Sequence, residues 1–309
     1  MSAAAVEAQS LTTSYGRSRA RGIVDVDLTV AGGQVLGLVG ANGAGKTTLM
    51  RTLLDFIRPT GGNVRLLGLD SRADSVAVRR RTTYLPGELV FPARLRGRDV
   101  ADRYLAARRD VQPQHVRELA AELDLDLERP VGDMSKGNRQ KLGLLLAFAP
   151  RADLLILDEP TSGLDPLLQR QFARLVADAA NRGAAVLLSS HVMAEVEQVA
   201  HSVALMRDGE VVIVDTLDVI LARGVRRGAA RPREAADAAG LEAALRATAG
   251  ITEVIRDTAS DGSPVLRFAL TGDVNPLLAV LARYPLDGFD LGHADLEDAF
   301  FHTVDRATS

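Results

Sequence analysis

Short runs of β-branched residues and leucine alternate with amphipathic stretches along about the first 215 residues of the chain. Short apolar runs that end at turn residues are typical of buried strands, whereas apolar residues at helical spacing are typical of helices. The runs predict strands over residues 23–30, 34–39, 154–157, 185–189 and 202–206. A turn at Asp208-Gly209 then predicts a hairpin into a strand over residues 210–214. This alternation predicts an α/β domain with a largely parallel sheet.

Residues 99–149 depart from this alternation, because Ala, Leu, Arg and Glu recur there at helical spacing between turn signals. They predict a mostly helical insertion, which we place at about residues 89–149 of a first domain spanning residues 1–222. The Arg-, Ala- and Gly-rich composition of residues 223–240 is typical of a helix followed by a surface linker or exposed loop, and we assign this segment as a linker.

The last part of the chain, residues 241–309, predicts a small α+β accessory domain. Its pattern predicts helices over residues 241–247, 276–283 and 296–304. It predicts strands or extended segments over residues 252–257, 265–270 and 287–291. The Asp261-Gly262 pair between the first two of these strands predicts a turn.

Composition narrows the classes of function. The 309 residues contain no cysteine, which excludes disulfides, cysteine zinc sites and thiol nucleophiles. The formal net charge of -3 argues against a dedicated nucleic-acid binder, so no nucleic-acid partner is expected. The first ten residues lack the apolar core of a signal peptide, and the apolar runs are too short to span a bilayer. We expect a chain that is soluble on its own.

A phosphate-binding loop is predicted at residues 40–47, GANGAGKT, which match the pattern G-x-x-x-x-G-K-[ST]. Backbone N–H groups of such a loop converge on phosphate oxygens, and the following helix N-terminus adds positive potential. The pattern predicts that Lys46 contacts the β- and γ-phosphates and that the Thr47 hydroxyl binds Mg²⁺. A glycine-rich turn without a ligand is the alternative, and the strand before and helix after disfavour it. The expected nucleotide-binding residues are Gly40, Asn42, Gly43, Ala44, Gly45, Lys46, Thr47 and Thr48.

Two adjacent carboxylates end the apolar strand over residues 154–157. Asp158 is predicted to hold Mg²⁺ together with Thr47, and Glu159 is predicted to orient and deprotonate the attacking water. Two acids at a strand end are more often a solvated terminus, but a phosphate-binding loop upstream favours the catalytic interpretation.

Residues 134–140, MSKGNRQ, stand shortly before this acidic strand, where the nucleotide-binding subunits of ABC transporters carry their LSGGQ signature. The chain resembles that family. The resemblance implies an α/β P-loop ATPase fold, MgATP as ligand, and a head-to-tail dimer with two composite sites. In such a dimer Ser135 and Gly137 would contact the γ-phosphate held by the other subunit's phosphate loop. The alternative is a polar helix N-terminus with Ser135 as its cap.

Further matches extend over residues 10–215. The resemblance implies that Tyr15, 25 positions before Gly40, stacks on adenine. It implies that residues 162–165, SGLD, form the loop along the dimer interface, and that His191 touches the γ-phosphate and joins Lys46 and Glu159 as a catalytic residue.

The chain departs from the family pattern at two places. Gly87-Glu88 stands where most members have a glutamine that contacts Mg²⁺, and Lys136 and Asn138 replace signature residues. Glu88 could substitute for the glutamine or leave the contact to backbone and water. Both variants resemble the exporter subfamily with a separate type-2 permease, which includes drug and antibiotic resistance exporters. Residues 296–300, LEDAF, resemble the regulatory extension of that subfamily.

The leading hypothesis is therefore an ATP-hydrolysing subunit, a homodimer or heterodimer, that powers a separate membrane permease, with export as the direction implied. Its expected location is cytoplasmic, peripheral on the inner face of the cell membrane through that permease. One alternative is a soluble ABC ATPase that acts on nucleic acid or ribosomes. Another is a nucleotide-dependent regulator without turnover, which Glu159 disfavours.

Overall fold

A computed structural model describes residues 4–15, 20–106, 108, 111–222, 224–259, 261–292 and 296 of the chain. Contacts between Cα positions divide the chain into two compact units, the first ending at Asp215 and the second beginning at Thr216. This division falls a few residues before the boundary that the sequence predicts at residue 222.

The elements of the first unit alternate between strands and helices. In chain order they are β1 (Ala4–Tyr15), β2 (Ala20–Ala31), β3 (Val35–Val39), α1 (Lys46–Leu53), β4 (Gly61–Leu66), β5 (Leu69–Asp70), α2 (Ser75–Arg81), β6 (Thr82–Leu85), α3 (Gly97–Leu105), α4 (Pro113–Glu122), a 3₁₀ turn (Val131–Asp133), α5 (Lys136–Phe148), β7 (Leu154–Leu157), α6 (Pro166–Asn181), β8 (Ala185–Ser190), α7 (Met193–Glu197), β9 (Ser202–Arg207) and β10 (Glu210–Thr216).

A six-stranded sheet with the order β10-β9-β3-β8-β7-β6 forms the centre of this unit. The pairs β3–β8, β3–β9, β6–β7 and β7–β8 are parallel, as the continuous apolar runs indicate. Asp208 and Gly209 both have positive φ, as a tight hairpin turn requires, so the predicted turn into β10 is confirmed. In the parallel register Val39 lies opposite Ser190, and the carboxyl ends of β3, β7 and β8 therefore meet at one edge.

An antiparallel sheet with the order β2-β1-β4-β5 accompanies the central sheet, and of its strands the sequence predicts only β2. Its apolar side chains join those of α1 and of the central strands in one core. The fully buried members of that core include Val6, Leu11, Ile23, Val30, Leu49, Met50, Leu53, Leu154 and Leu187. This shared core fixes α1, and with it the segment between β3 and α1, against both sheets.

The described residues between β6 and β7 form helices and loops, as the sequence predicts for the insertion. Helix α5 begins after Ser135, whose hydroxyl accepts a hydrogen bond from the Asn138 N–H at 3.1 Å. From Leu142 onward this helix is buried on every side, because Leu, Ala and Phe occupy all of its faces. Among the described residues, no helix combines the length and hydrophobicity needed to cross a membrane.

The second unit contains α8 (Leu217–Ala222), β11 (Val225–Pro232), a 3₁₀ turn (Ala235–Asp237), α9 (Ala238–Arg246), β12 (Ile251–Thr258), β13 (Pro264–Thr271), α10 (Asn275–Leu281) and β14 (Leu286–Leu291). Its antiparallel sheet has the order β12-β13-β11-β14. From β11 onward the succession β-α-β-β-α-β is that of a split βαβ unit. Leu241, Leu245, Leu277 and Leu281 from the two helices pack on Leu266 and Phe268 of the sheet.

The linker predicted over residues 223–240 is wrong, because this segment contains β11, an inner strand of that sheet. The small residues that suggested a linker are needed for packing. A Cβ atom on Gly228 would lie 2.6 Å from the Phe268 ring, and Ala230 is fully buried. Helices α9 and α10 confirm two predicted helices, while the predicted helix over residues 296–304 lies outside the described residues apart from Leu296.

Candidate functional site

The loop between β3 and α1 wraps the carboxyl edge of the central sheet. Gly45, just before the helix, has φ +106°, and a Cβ atom there would lie 3.0 Å from the Gly22 carbonyl oxygen. Glycine is therefore required by both conformation and space. Helix α1 begins at Lys46, so the free N–H groups of its first turn and the helix dipole face the cavity at this edge. This geometry can bind a phosphate group.

Lys46 lies in the wall of the cavity with 6% of its side chain exposed. Its Nζ donates hydrogen bonds to the carbonyl oxygens of Gly40, at 2.7 Å, and Ala41, at 3.2 Å. The same atom is 3.7 Å from Oε1 of Glu159. The ammonium group is thus held by the loop and placed beside the acidic strand end, where it can neutralise phosphate charge.

Asp158 and Thr47 come together although 111 positions separate them in the chain. Thr47 Oγ1 donates to Asp158 Oδ2 at 2.8 Å, and Ser189 Oγ donates to Asp158 Oδ1 at 2.7 Å. Asp158 is buried, and both its carboxylate oxygens are oriented by hydroxyl donors. A buried carboxylate with its partners in place is a preorganised ligand for a hard cation.

Glu159 follows β7 with φ +47°, a left-handed conformation that is uncommon for a residue other than glycine. Its backbone N–H donates to Ser189 Oγ at 2.9 Å. Its Oε2 lies 2.8 Å from Nδ1 of His191, whose side chain is about half exposed. Strained backbone of this kind persists where the surroundings fix it, and it is concentrated at functional sites.

One cavity of about 430 Å³ collects most of the predicted site residues. Its lining residues are Asn42, Gly43, Gly45, Lys46, Thr47, Thr48, Arg51, Gly87, Glu88, Asp158, Glu159, Ser162 and His191. Glu88, which replaces the expected glutamine, is among them. Gly40 and Ala44 belong to the loop behind this lining, with Gly40 supplying a carbonyl oxygen to Lys46.

Ser135 and Gly137 do not line this cavity. They lie at the start of α5, where Ser135 is exposed and acts as the helix cap. A hydroxyl that accepts from the helix can still donate to another group, so capping and ligand binding are compatible. The backbone of Tyr15 lies in β1, but its side chain is outside the described residues, so its stacking on adenine stays a prediction.

Sequence reasoning missed two polar residues of the site, Ser189 and Arg51, and predicted for a third, Ser162, a place in the interface loop and not in this cavity. Ser189 is completely buried and contacts both acids, and Arg51 and Ser162 line the cavity. Arg51 stands one helical turn after Thr47, and this spacing could have identified it. Ser189 lies in β8 directly after Leu188, the partner of Leu157 in β7, and it therefore stands level with Asp158. Only the pairing of the two strands reveals it.

Together, fold and site define a P-loop nucleotide hydrolase. A family model described as "ABC transporter" matches residues 23–162. The chain is 33% identical over 323 aligned positions to the daunorubicin/doxorubicin resistance ATP-binding protein DrrA of Streptomyces peucetius, covering 96% of this chain and 91% of that protein. It is 31% identical to the bacitracin transport ATP-binding protein BcrA of Bacillus licheniformis, over 66% of this chain and 67% of the relative.

Solved structures agree on the fold. An ATP-binding subunit of an ABC transporter superposes with a TM-score of 0.65 at 28% identity, covering 70% of this chain and 91% of that structure. The ATP-binding cassette MJ0796 superposes with a TM-score of 0.62 at 19% identity, covering 69% of this chain and 98% of that structure. The chain belongs to the ABC transporter family, as an ATP-binding and ATP-hydrolysing subunit.

Proposed function

We propose that two copies of this chain, or this chain and a close relative, close head to tail on two MgATP and drive a separate membrane permease that exports its substrate. The observation that carries the catalytic part is the gathering of Lys46, Thr47, Asp158, Glu159 and His191 around one cavity. Export is supported by DrrA, which is named for drug resistance, and a transport role by BcrA, named for bacitracin transport. Through the permease, the chain would be peripheral on the inner face of the membrane.

Mg²⁺ fits the donor set of the cavity. Two oxygens bound side by side to an octahedral Mg²⁺ lie about 3 Å apart, since each is about 2.1 Å from the ion. Thr47 Oγ1 and Asp158 Oδ2 are 2.8 Å apart. No cluster of three or more His, Cys, Asp or Glu able to hold a metal occurs within the described part of the chain, so the nucleotide phosphates would complete the coordination. The bound ion would neutralise charge on the phosphates.

Glu159 and His191 form the pair that would act on the γ-phosphate end of the nucleotide. Glu159 would accept the proton of the attacking water, because its carboxylate lies at the cavity wall beside Lys46. His191 would hold that carboxylate in place and contact the γ-phosphate. Lys46 would stabilise the negative charge that develops on the transferred group.

The signature residues would serve the other subunit. Ser135 is exposed and Gly137 half-buried at the N-terminus of α5, outside the cavity of their own chain. The helix N-terminus and the Ser135 hydroxyl together can bind a phosphate oxygen that a second subunit presents. Each nucleotide would thus be held by the phosphate loop of one subunit and the signature of the other.

Replacement of the proposed base tests hydrolysis. We expect Glu159→Gln to retain ATP binding, because the phosphate loop is untouched, and to lower the rate of phosphate release about 100-fold or more. The uncleaved nucleotide should hold two subunits together, so ATP should shift the variant to a dimer in size-exclusion chromatography with light scattering. Glu118→Ala, on α4 outside the cavity, is the control. Hydrolysis near the wild-type rate in Glu159→Gln would contradict the assignment.

Recovery of a partner tests the transport role. The chain should co-purify from detergent-solubilised membranes with a polytopic protein when the neighbouring genes are expressed with it. Membranes from cells that express the chain alone are the control. Recovery of ribosomes or nucleic acid in place of a membrane protein would support the soluble alternative.

A further inference from the structure

Glu195 lies on α7, four residues after His191, and neither the cavity nor the sequence motifs include it. Its carboxylate accepts hydrogen bonds from side chains on three separate segments. Thr161 Oγ1 and Ser190 Oγ donate to Oε2 at 2.5 and 3.0 Å, and Gln169 Nε2 donates to Oε1 at 2.9 Å. All three contacts are partly buried, where charge-assisted hydrogen bonds are strong.

Two of these donors stand next to the catalytic pair. Thr161 is two residues after Glu159, in a turn in which the Ser162 N–H donates to the Glu159 carbonyl oxygen at 3.2 Å. Ser190 directly precedes His191, and its Oγ also accepts from the N–H of Val192 at 3.0 Å. The segment that carries Glu159 and the segment that carries His191 are therefore both hydrogen-bonded to the carboxylate of Glu195.

The third donor extends the connection to a helix. Gln169 lies in the first turns of α6, which begins after Asp165 caps it by accepting from the Leu168 N–H at 2.9 Å. The loop of residues 160–165 is thus fixed near its start through Thr161 and at its end through α6. Both attachments depend on Glu195.

We propose that Glu195 is a positioning residue for ATP hydrolysis. It holds the loop after Glu159 and the end of β8 in the relative position that allows His191 to contact Glu159. The proposal rests on the proposed function. The distance from His191 Nδ1 to Glu159 Oε2 is 2.8 Å, and proton transfer and phosphate contact are sensitive to displacements well below 1 Å. Lys46 and Thr47 make no contact with Glu195 and bind nucleotide from α1.

The geometry predicts that kcat and KM respond differently. Glu195→Ala leaves three donors without their acceptor, so the Glu159–His191 pair should lose its alignment while the phosphate loop stays intact. We expect kcat for ATP hydrolysis to fall about 10- to 100-fold, with KM and the Kd of a fluorescent ATP analogue within about threefold of wild type. Gln198→Ala, an exposed side chain at the end of the same helix, should leave both constants unchanged.

A conservative variant separates positioning from mere folding. Glu195→Gln keeps one carbonyl oxygen and two N–H donors, and the Thr161 and Ser190 hydroxyls can accept as well as donate. It should therefore recover most of the kcat lost in Glu195→Ala. Thr161→Val should lower kcat in the same direction, and in the double variant with Glu195→Ala its effect should largely disappear, because both changes remove the same hydrogen bond.

The proposal is overturned if Glu195→Ala hydrolyses ATP with a wild-type kcat while Glu159→Gln is inactive, a result that leaves the proposed function standing. It is also overturned if Glu195→Ala raises KM without lowering kcat, or if Glu195→Gln is no better than Glu195→Ala. Where Glu195→Ala folds, strictly additive effects of Glu195→Ala and Thr161→Val on kcat contradict the shared contact. Should Glu195→Ala fail to bind the ATP analogue through misfolding, Glu195→Gln and Thr161→Val decide, and a wild-type kcat in both overturns the proposal. Wild-type turnover in Glu159→Gln would contradict the proposed function itself.

Discussion

Lys46 is one of three lysines in a chain whose 37 basic residues are otherwise arginine. Its Nζ directs hydrogen bonds to two loop carbonyl oxygens within a wall that leaves 6% of the residue exposed. Such a position suits a compact ammonium group and not a planar guanidinium. We expect Lys46→Ala and Lys46→Arg both to weaken binding of an ATP analogue about 10- to 100-fold, which corresponds to the loss of one charge-assisted contact worth about 1.5–3 kcal/mol.

Lys141→Arg is the matched control for this substitution. Lys141 donates to the Asp124 carbonyl oxygen at 3.1 Å, away from the cavity. Fluorescence titration should give this variant the wild-type Kd. Unchanged affinity and hydrolysis in Lys46→Arg would show that the cavity accepts a fork-shaped cation and would contradict the geometric argument.

At the residue scale, the sequence identifies a functional side chain when the residues adjacent to it in the chain form a recognisable pattern. Lys46 and Thr47 are recognisable from the loop around them, and Asp158 and Glu159 from the strand before them. Ser189 and Glu195 are not recognisable in this way. Their partners lie 31 and 34 positions away, and a lone serine or glutamate has no pattern until strand register and helix position bring the partners together.

Strands β3, β7 and β8 show why some elements are predictable from the sequence. Every residue of these strands is buried, so β3 and β7 read as continuous apolar runs and β8 as an apolar run that ends in two serines. Strand β1 contains Ala, Thr, Ser and Gln with few large apolar residues, and its irregular pairing with β2 disrupts a simple alternation. Strand β11 was missed for a related reason, since Gly228 and Ala230 are small because Phe268 and the helices pack closely against them.

Close packing of α7 on β3 at Gly37 gives a prediction at the scale of elements. A Cβ atom on Gly37 would lie 2.1 Å from Cγ1 of Val196, the neighbour of Glu195 on α7. Gly37→Ala should therefore displace α7 and destabilise the fold by about 1–3 kcal/mol, as overpacking does. Thermal unfolding should show a Tm lower by about 2–4 °C for each kcal/mol.

Removal of the Val196 methyl groups tests whether their clash with the new Cβ atom causes the destabilisation expected in Gly37→Ala. Val196→Ala should by itself lower Tm, and combined with Gly37→Ala it should restore part of the loss, a non-additive result that marks direct contact. If the two substitutions are additive, the loss in Gly37→Ala arises elsewhere. A fall of kcat that parallels the displacement of α7 is also expected, because Glu195 moves with that helix.

At the scale of the whole molecule, the nucleotide cavity and the signature belong to the same unit but not to the same site. The lining of the cavity comes from the residues after β3, β6, β7 and β8, while Ser135 and Gly137 stand at the start of α5. A single chain therefore carries two half-sites. In the proposed twofold dimer the loop of each subunit would meet the signature of the other, so both half-sites would be used twice.

Two inactive variants should therefore complement each other. Lys46→Ala has a defective phosphate loop and an intact signature, whereas Ser135→Arg blocks the signature and leaves the loop intact. In a mixed dimer, the intact loop of one subunit meets the intact signature of the other, and one complete site forms. An equimolar mixture should recover up to about a quarter of wild-type hydrolysis, because half of the dimers are mixed and each has one of two sites. If each chain completed its own site, mixing would restore nothing, and phosphate release measured before and after mixing distinguishes the two arrangements.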